Sequence, residues 1–434
     1  MSEVITEYSE FLESTPAHWN RFKMQEVGRI VSGGTPSRDV PSLWDGGIPW
    51  VTPGELTSLP TKEIHETAET ISAAGLSGSG ANLLPAQSLL ITSRATLGAR
   101  AVNSVPMATN QGFKSLVPFN EQMTDFLYHL VDKIKPEMVR RASGTTFLEI
   151  SGSEFGDIDL SLPPTEEAVK IAEILDTLDA AIRGTEAVLA KLKAMKQGLL
   201  HDLLTRGIDA NGDLRPTQPE APHLYKQTPL GWLPKEWDCG RLEDYCSRIC
   251  VGIVIKPADY YVEEGVPTFR SANVREGYIA ESDFVFISPA SNAMLHKSQI
   301  RKGDILTVRT GYPGTSAVVP EEYDGCNCVD ILISTPLGSI SSEFLCSWIN
   351  SPFGKGQVLS GQGGLAQQHF NVGEMRELIV VKPSSAEQEM ITSRIDTAEA
   401  KIQTEQKLLN KLRLQKSGLM DDLLTGRTPV TSLL

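Results

Sequence analysis

Two short runs set an arginine among hydroxyls and small residues, a combination suited to gripping nucleic acid. Ser93-Arg94-Ala95-Thr96 and Arg309-Thr310-Gly311-Tyr312 each follow an apolar, β-rich stretch. A guanidinium can hold guanine O6 and N7 through two parallel hydrogen bonds, or grip a phosphate with the same fork. Neighbouring hydroxyls and a glycine let a sugar–phosphate backbone come close. The two arginines recur at corresponding places, Ser93-Arg94 matching Val308-Arg309. Asn110-Gln111 offers carboxamides suited to adenine N6 and N7, and Gln362, Gln367 and Gln368 offer the same in the second half. Ser32-Gly33-Gly34-Thr35-Pro36-Ser37-Arg38 is a hydroxyl-rich loop with one cation, as phosphate contacts prefer. Arg270-Ser271-Ala272-Asn273 is a second-half candidate, and Tyr260 and Tyr261 could pack on sugars or bases. The plainer reading of each is a surface loop with ordinary turn chemistry.

Catalytic chemistry has no comparable set. No GxxxxGK[ST] run occurs, and Gly75-Leu76-Ser77-Gly78-Ser79-Gly80 lacks the strand–turn–helix setting of a cofactor loop. No Asn-Pro-Pro-Phe/Tyr stretch is present to grip a flipped adenine, and the acidic residues form no obvious nuclease cluster. The 7 His are scattered without metal spacing. All 6 cysteines fall in the second half, so a disulfide framework would leave half the chain unstapled; reduced thiols of a cytosolic protein are the simpler reading. Cys246 and Cys250 have no well-spaced partner pair for zinc.

The elements that must position these residues repeat. Residues 163–206 align without a gap on 383–426 at a constant offset of 220, pairing Pro163 with Pro383, Asp176 with Asp396, Lys191 with Lys411 and Gly198 with Gly418. The preceding segments correspond more loosely, as in Thr15-Pro16-Ala17-His18-Trp19 and Leu233-Pro234-Lys235-Glu236-Trp237. Each variable region reads as mixed structure with short strands, near 88–92 and 304–308, and helices at 121–141 and 342–351. The Pro-, Gly- and Asp-rich stretch between the halves reads as a linker.

Both repeated segments carry a heptad stripe, Ile171, Leu175, Leu178, Ile182, Thr185, Leu189, Leu192, Lys196, Leu199 and Leu203, then Ile391, Ile395, Ala398, Ile402, Glu405, Leu409, Leu412, Lys416, Leu419 and Leu423. At 1.5 Å per residue each helix runs about 60 Å. Two such stripes in one chain are expected to bury each other as an antiparallel pair about a pseudo-two-fold axis. With Leu189 and Leu192 at the centre, Lys196 falls opposite Glu405 and Thr185 opposite Lys416. The alternative is that each helix packs on its own variable region.

The 434 residues hold 40% hydrophobic and 22% charged side chains, enough for a packed core in two to four domains. The formal net charge of -14 argues against a protein that coats nucleic acid by bulk charge, and leaves room for local basic spots. No apolar run reaches the roughly 18 residues of a membrane span, and the acidic start is unlike a signal peptide.

This layout resembles the DNA-specificity subunit of type I restriction–modification systems, along nearly the whole chain. The carrying residues are the helix lead-ins Pro163-Pro164-Thr165-Glu166-Glu167-Ala168 and Pro383-Ser384-Ser385-Ala386-Glu387-Gln388, and the helix ends Leu203-Leu204-Thr205-Arg206 and Leu423-Leu424-Thr425-Gly426. The run from Lys226 to Trp237 looks like the family's opening of a second recognition domain. Both lead-ins depart from the family's Pro-Pro-Leu-x-Glu-Gln: the first lacks the Gln, the second one Pro.

The resemblance implies an α+β chain of six parts: target recognition domain 1 at 1–164, a helical region at 165–207, a linker at 208–230, target recognition domain 2 at 231–383, a second helical region at 384–427 and a tail at 428–434. It implies a non-catalytic, cytoplasmic subunit of a bacterium or archaeon. Each recognition domain would read half of a split, asymmetric site on double-stranded DNA. The helices would set the gap and dock two adenine methyltransferase subunits, which motor-nuclease restriction subunits join. S-adenosylmethionine, ATP and Mg would belong to those partners, with no cofactor or metal in this chain. The alternatives are a fused methyltransferase or nuclease, and a coiled-coil adaptor with no DNA role.

Overall fold

The computed structural model describes residues 2–144, 148–360 and 369–433, with side chains from Tyr8 onward. The chain divides into two units, residues 1–186 with 407–434, and residues 187–406. Each holds one mixed α/β domain and part of each of two long helices.

In the first unit a five-stranded sheet runs in the order Gly28–Ser32, Lys114–Pro118, Leu89–Ile91, Arg100–Asn103, Glu63–Ile64. A three-stranded sheet joins Glu69–Ile71, Trp44–Val51 and Ala108–Thr109, the last pair parallel. In the second unit, sheets of four strands repeat the plan. One is Cys246–Val251, Ile331–Pro336, Ile305–Val308 and Ser316–Val318. The other includes Val266–Phe269 beside Asn327–Cys328, parallel like its counterpart. The strands expected near 88–92 and 304–308 are present as Leu89–Ile91 and Ile305–Val308, both fully buried; their side chains are apolar but for Thr307, whose hydroxyl is hydrogen-bonded to that of Ser316 at 2.8 Å. The helices are Thr124–Arg141 and Ser342–Asn350.

The long helices span Thr165–Thr205 and Ser385–Leu423. A proline-rich lead-in starts each: Ala168 N donates to the Pro164 carbonyl at 3.0 Å and Gln388 N to the Ser384 carbonyl at 2.9 Å. Leu178, Ile182, Leu189, Leu192, Leu199, Leu203, Ile402, Leu409, Leu412 and Leu419 are all buried or half-buried, while the side chains between them are mostly exposed. The helices pack antiparallel. In the first unit Asp179 meets Lys416 and Glu186 meets Arg413; in the second Lys196 meets Glu399.

These pairs correct the expected register. Lys196 binds Glu399 and not Glu405, and Lys416 binds Asp179 and not Thr185. Thr185 turns its hydroxyl to the Ala181 carbonyl of its own helix, at 2.9 Å. The heptad fixes which face is buried; long lysine stems then reach carboxylates at the edge of the seam. The two lysine pairs are themselves repeat-related, since Asp179 and Lys196 become Glu399 and Lys416 at the offset of 220.

Residues 208–230 are more than a tether. Arg215 is buried against Glu387, whose carboxylate also accepts Ile208 N at 2.8 Å and Trp237 Nε1 at 3.0 Å. Strand Tyr225–Thr228 pairs with Gly231–Pro234.

Candidate nucleic-acid interface

The interface is built first from a turn that closes the same way in both units. In the first, Thr92 N donates to the Ala99 carbonyl at 2.8 Å and Gly98 N to the Thr92 carbonyl at 3.0 Å. In the second, Val308 N donates to the Thr315 carbonyl at 2.8 Å and Gly314 N to the Val308 carbonyl at 3.0 Å. The next carbonyl, of Ser93 or Arg309, accepts from Ile150 N or Phe370 N, at 3.0 Å each. Ser93 therefore corresponds to Arg309, Arg94 to Thr310, Ala95 to Gly311 and Thr96 to Tyr312. The sequence match of Arg94 with Arg309 is one residue out of step.

Each turn exposes three residues at its tip, Arg94-Ala95-Thr96 and Thr310-Gly311-Tyr312, with Tyr312 79% exposed. The central residue is left-handed in both, φ +61° at Ala95 and +89° at Gly311. Glycine adopts this freely, whereas an L-alanine there costs about 1–2 kcal/mol. Strain of this kind collects at loops whose shape serves a purpose.

A second wall faces each tip. After strand Trp44–Val51, Thr52 N donates to Glu55 Oε2 at 2.8 Å and closes the turn at Pro53. After strand Val266–Phe269, Arg270 N donates to Asn273 Oδ1 at 2.9 Å and closes the equivalent turn at Ser271. Open grooves lie between wall and tip. One, of about 350 Å³, is lined by Pro53, Arg94, Ala95, Asn110, Gln111 and Gly112. The other, of about 460 Å³, is lined by Ser271, Arg275, Thr310, Tyr312 and neighbours.

Of the sequence-predicted residues, Arg94, Asn110 and Gln111 meet in the first groove, with Thr96 on the same tip. Asn110 Oδ1 accepts Gly112 N at 2.8 Å, which fixes its carboxamide. The Thr35 hydroxyl donates to Gln111 Oε1 and ties the 32–38 loop to the groove. Ser32 is exposed, and its carbonyl accepts Asn82 Nδ2 at 2.9 Å. Ser271, Thr310 and Tyr312 meet in the second groove.

Other expected contacts serve the scaffold. Ser93 is fully buried. Gly34 is buried, with its carbonyl accepting Trp50 Nε1 at 2.9 Å, and a Cβ there would lie 2.3 Å from the Gly80 backbone. Arg38 stacks 3.9 Å from the Trp44 ring and forks onto Glu69, so its guanidinium is committed within the fold. Arg309 donates to the Phe370 carbonyl (3.2 Å), Asp330 Oδ1 (2.6 Å) and His369 Nε2 (2.6 Å), and anchors a loop. Arg270 holds the Asp283 carbonyl at 2.7 Å. Asn273 is buried and spends its amide on the carbonyls of Ala280 and Ser282. Gln362, Gln367 and Gln368 lie outside the described residues.

Sequence reasoning missed Pro53 and Arg275. Arg275 is exposed in the second groove and makes no ion pair among the described residues. The available signal was the hairpin pattern Val274-Arg275-Glu276-Gly277-Tyr278-Ile279, which turns Arg275 away from the buried Val274. Among the described residues one set has metal-ligand geometry, His129, Asp176 and Asp179. Lys62 and Lys416 already neutralise its carboxylates.

Comparison with known proteins agrees with the duplicated plan. A sequence model described as the type I restriction modification DNA specificity domain matches residues 16–194. The MjaIX specificity subunit of Methanocaldococcus jannaschii, a type I restriction enzyme subunit, is 23% identical over 99% of this chain and 98% of its own length. The EcoBI specificity subunit of Escherichia coli is 24% identical over 69% of this chain and 64% of its own length. In fold, the chain is similar to the type I restriction–modification S subunit of M. genitalium, with a TM-score of 0.56 and 13% identity over 93% of this chain and 96% of that one. A chain from a structure concerning complex assembly of the type I R-M system gives 0.57, with 16% identity over 94% and 98%. The domain match over residues 16–194, the end-to-end similarity and the repeated frame together make this chain similar, in sequence and in fold, to type I restriction–modification specificity subunits.

Proposed function

We propose that this chain is the DNA-recognition and assembly subunit of a type I restriction–modification enzyme. Each unit reads one half of an interrupted, asymmetric site on double-stranded DNA through its groove. The paired helices fix the spacer and dock two adenine methyltransferase subunits, which restriction subunits then join. Chemistry that uses S-adenosylmethionine, ATP and Mg belongs to those partners, in the cytoplasm.

The observation that carries the reading is the recurrence of one groove at equivalent hydrogen-bonded places in two units. Both grooves present hydrogen-bonding side chains on an exposed tip whose central residue is left-handed. Arg94 with Asn110 and Gln111 suits the donor–acceptor edges of purines in the major groove. Thr310, Ser271 and Arg275 suit sugar–phosphate contact, and the Tyr312 ring suits an apolar base edge. The net charge of -14 supports a division of labour in which neighbouring subunits supply most of the phosphate grip.

The test is a footprint of the methyltransferase assembly on host DNA with and without this chain. A sequence-selective footprint that needs the chain is expected. Equal protection without it would contradict the proposal. Labelled methyl transfer by the isolated chain would point instead to a fused enzyme.

A further inference from the structure

One carboxylate has two copies with opposite surroundings. In the first unit Lys62 Nζ lies between Asp125 Oδ1 at 2.7 Å and Asp176 Oδ2 at 2.6 Å, its side chain 15% exposed. The fully buried His129 adds a hydrogen bond from Nε2 to Asp176 Oδ1 at 2.9 Å. Burial pushes the Asp176 carboxyl up, but the bonds to His129 and Lys62 outweigh it and hold the group below the usual carboxylate range.

The second unit keeps the clamp and lacks what it clamps. Asp176 becomes Asp396 at the offset of 220. Asp125 and His129 are the second and sixth residues of Thr124–Arg141; Glu343 and Ser347 hold those places in Ser342–Asn350. No lysine enters. Residues 276–278 lie there instead and leave a cavity of about 180 Å³, which Glu343, Ser347, Asp396 and Glu399 line together with Tyr278 and Ile395. Glu399 is paired with Lys196, whereas Glu343 and Asp396 form no ion pair among the described residues. Burial, then the charges of Glu343 and Glu399, push the Asp396 carboxyl up, the reverse of its twin.

The geometry points to a binding site in the second unit for a primary alkylammonium group, with Glu343 and Asp396 as the clamp that Asp125 and Asp176 form around Lys62. The acidic cluster does not carry this by itself. The second observation is the bound state of the same site, seen in the other repeat, where the repeat-equivalent residues hold an ammonium. Apolar side chains beside the carboxylates fit an alkyl stem, as Tyr128 does for Lys62 with its ring 5.8 Å from Nζ. The occupant is either a lysine side chain of a second polypeptide or a free polyamine, since both present this chemistry.

The test titrates the full chain at pH 7.5 with n-butylamine, spermidine and, as a neutral control, n-butanol, followed by NMR saturation transfer. One saturable site for n-butylammonium and none for n-butanol is expected. The isosteric Asp396→Asn should weaken it at least ten-fold, and Glu343→Gln likewise, while Glu263→Gln at an exposed carboxylate leaves it unchanged. Thermal unfolding of each variant checks that it folds. Spermidine binding ten-fold or more tighter than n-butylammonium assigns the site to a free polyamine; similar affinities assign it to a polypeptide lysine. Absence of saturable n-butylammonium binding, or binding that survives Asp396→Asn, overturns the proposal.

Discussion

Arg94 and Arg309 share a residue type and divide in role. Arg94 sits on an exposed tip, whereas Arg309 is held by Asp330, His369 and the Phe370 carbonyl. Arg94→Ala should weaken DNA binding by the assembled complex by about 1–3 kcal/mol and relax discrimination at one position of one half-site, as binding to substituted duplexes at fixed salt would show. Unchanged affinity and unchanged preference would remove Arg94 from the interface. Arg309→Ala should instead lower stability by about 1–3 kcal/mol in urea unfolding, and Arg309→Lys should recover little, because a lysine cannot serve three directions at once. At this scale the sequence was legible in chemistry and not in register. Arg94, Asn110 and Gln111 were recognisable as base-reading types, but a repeated Arg is a weak ruler. The glycines that close the turns, Gly98 and Gly314, are the better one, because positive φ confines that position.

The long helices were the most legible elements, because a heptad stripe states both the structure and the buried face. Their ion pairs were not legible, since a lysine stem reaches several carboxylates along a neighbouring helix. A double-mutant cycle separates the candidates. Lys196→Glu and Glu399→Lys should each destabilise by about 0.5–1 kcal/mol and the double swap should restore most of the loss, whereas Lys196→Glu with Glu405→Lys should not. Additivity of the Lys196–Glu399 swap would contradict the register. The repeated aspartates add a pH signature. Asp176 is held below its ordinary range, so it contributes stability above about pH 4, lost as pH falls through the lowered folded-state value. Asp396 is held above its range, so its stability contribution is full at low pH and lost as pH rises through the raised value. Asp176→Asn should therefore lower Tm at pH 7 and Asp396→Asn raise it; in calorimetric scans the Asp396 difference should vanish near pH 3, and the Asp176 difference should shrink as pH falls below about 4.

At the scale of the molecule, the duplication was plain in the sequence because the helices repeat at constant spacing. The recognition domains were not, because only turn glycines, capped turns and a few strand pairings are shared while the groove-lining side chains diverge. Under the proposed function, that divergence is what reading two different half-sites requires. The net charge of -14 is consistent with the proposed supply of grip by partners, so the isolated chain should bind duplex DNA weakly in moderate salt, measurable by fluorescence anisotropy. The central claim, that two equivalent grooves each read one half of an interrupted site, is tested most directly by mapping adenine methylation in a host carrying the system. The map is then repeated after residues 1–162 are exchanged for those of another such subunit. The account predicts a split motif whose one half changes and whose other half and gap persist. A continuous motif, or a swap that alters both halves, would contradict it.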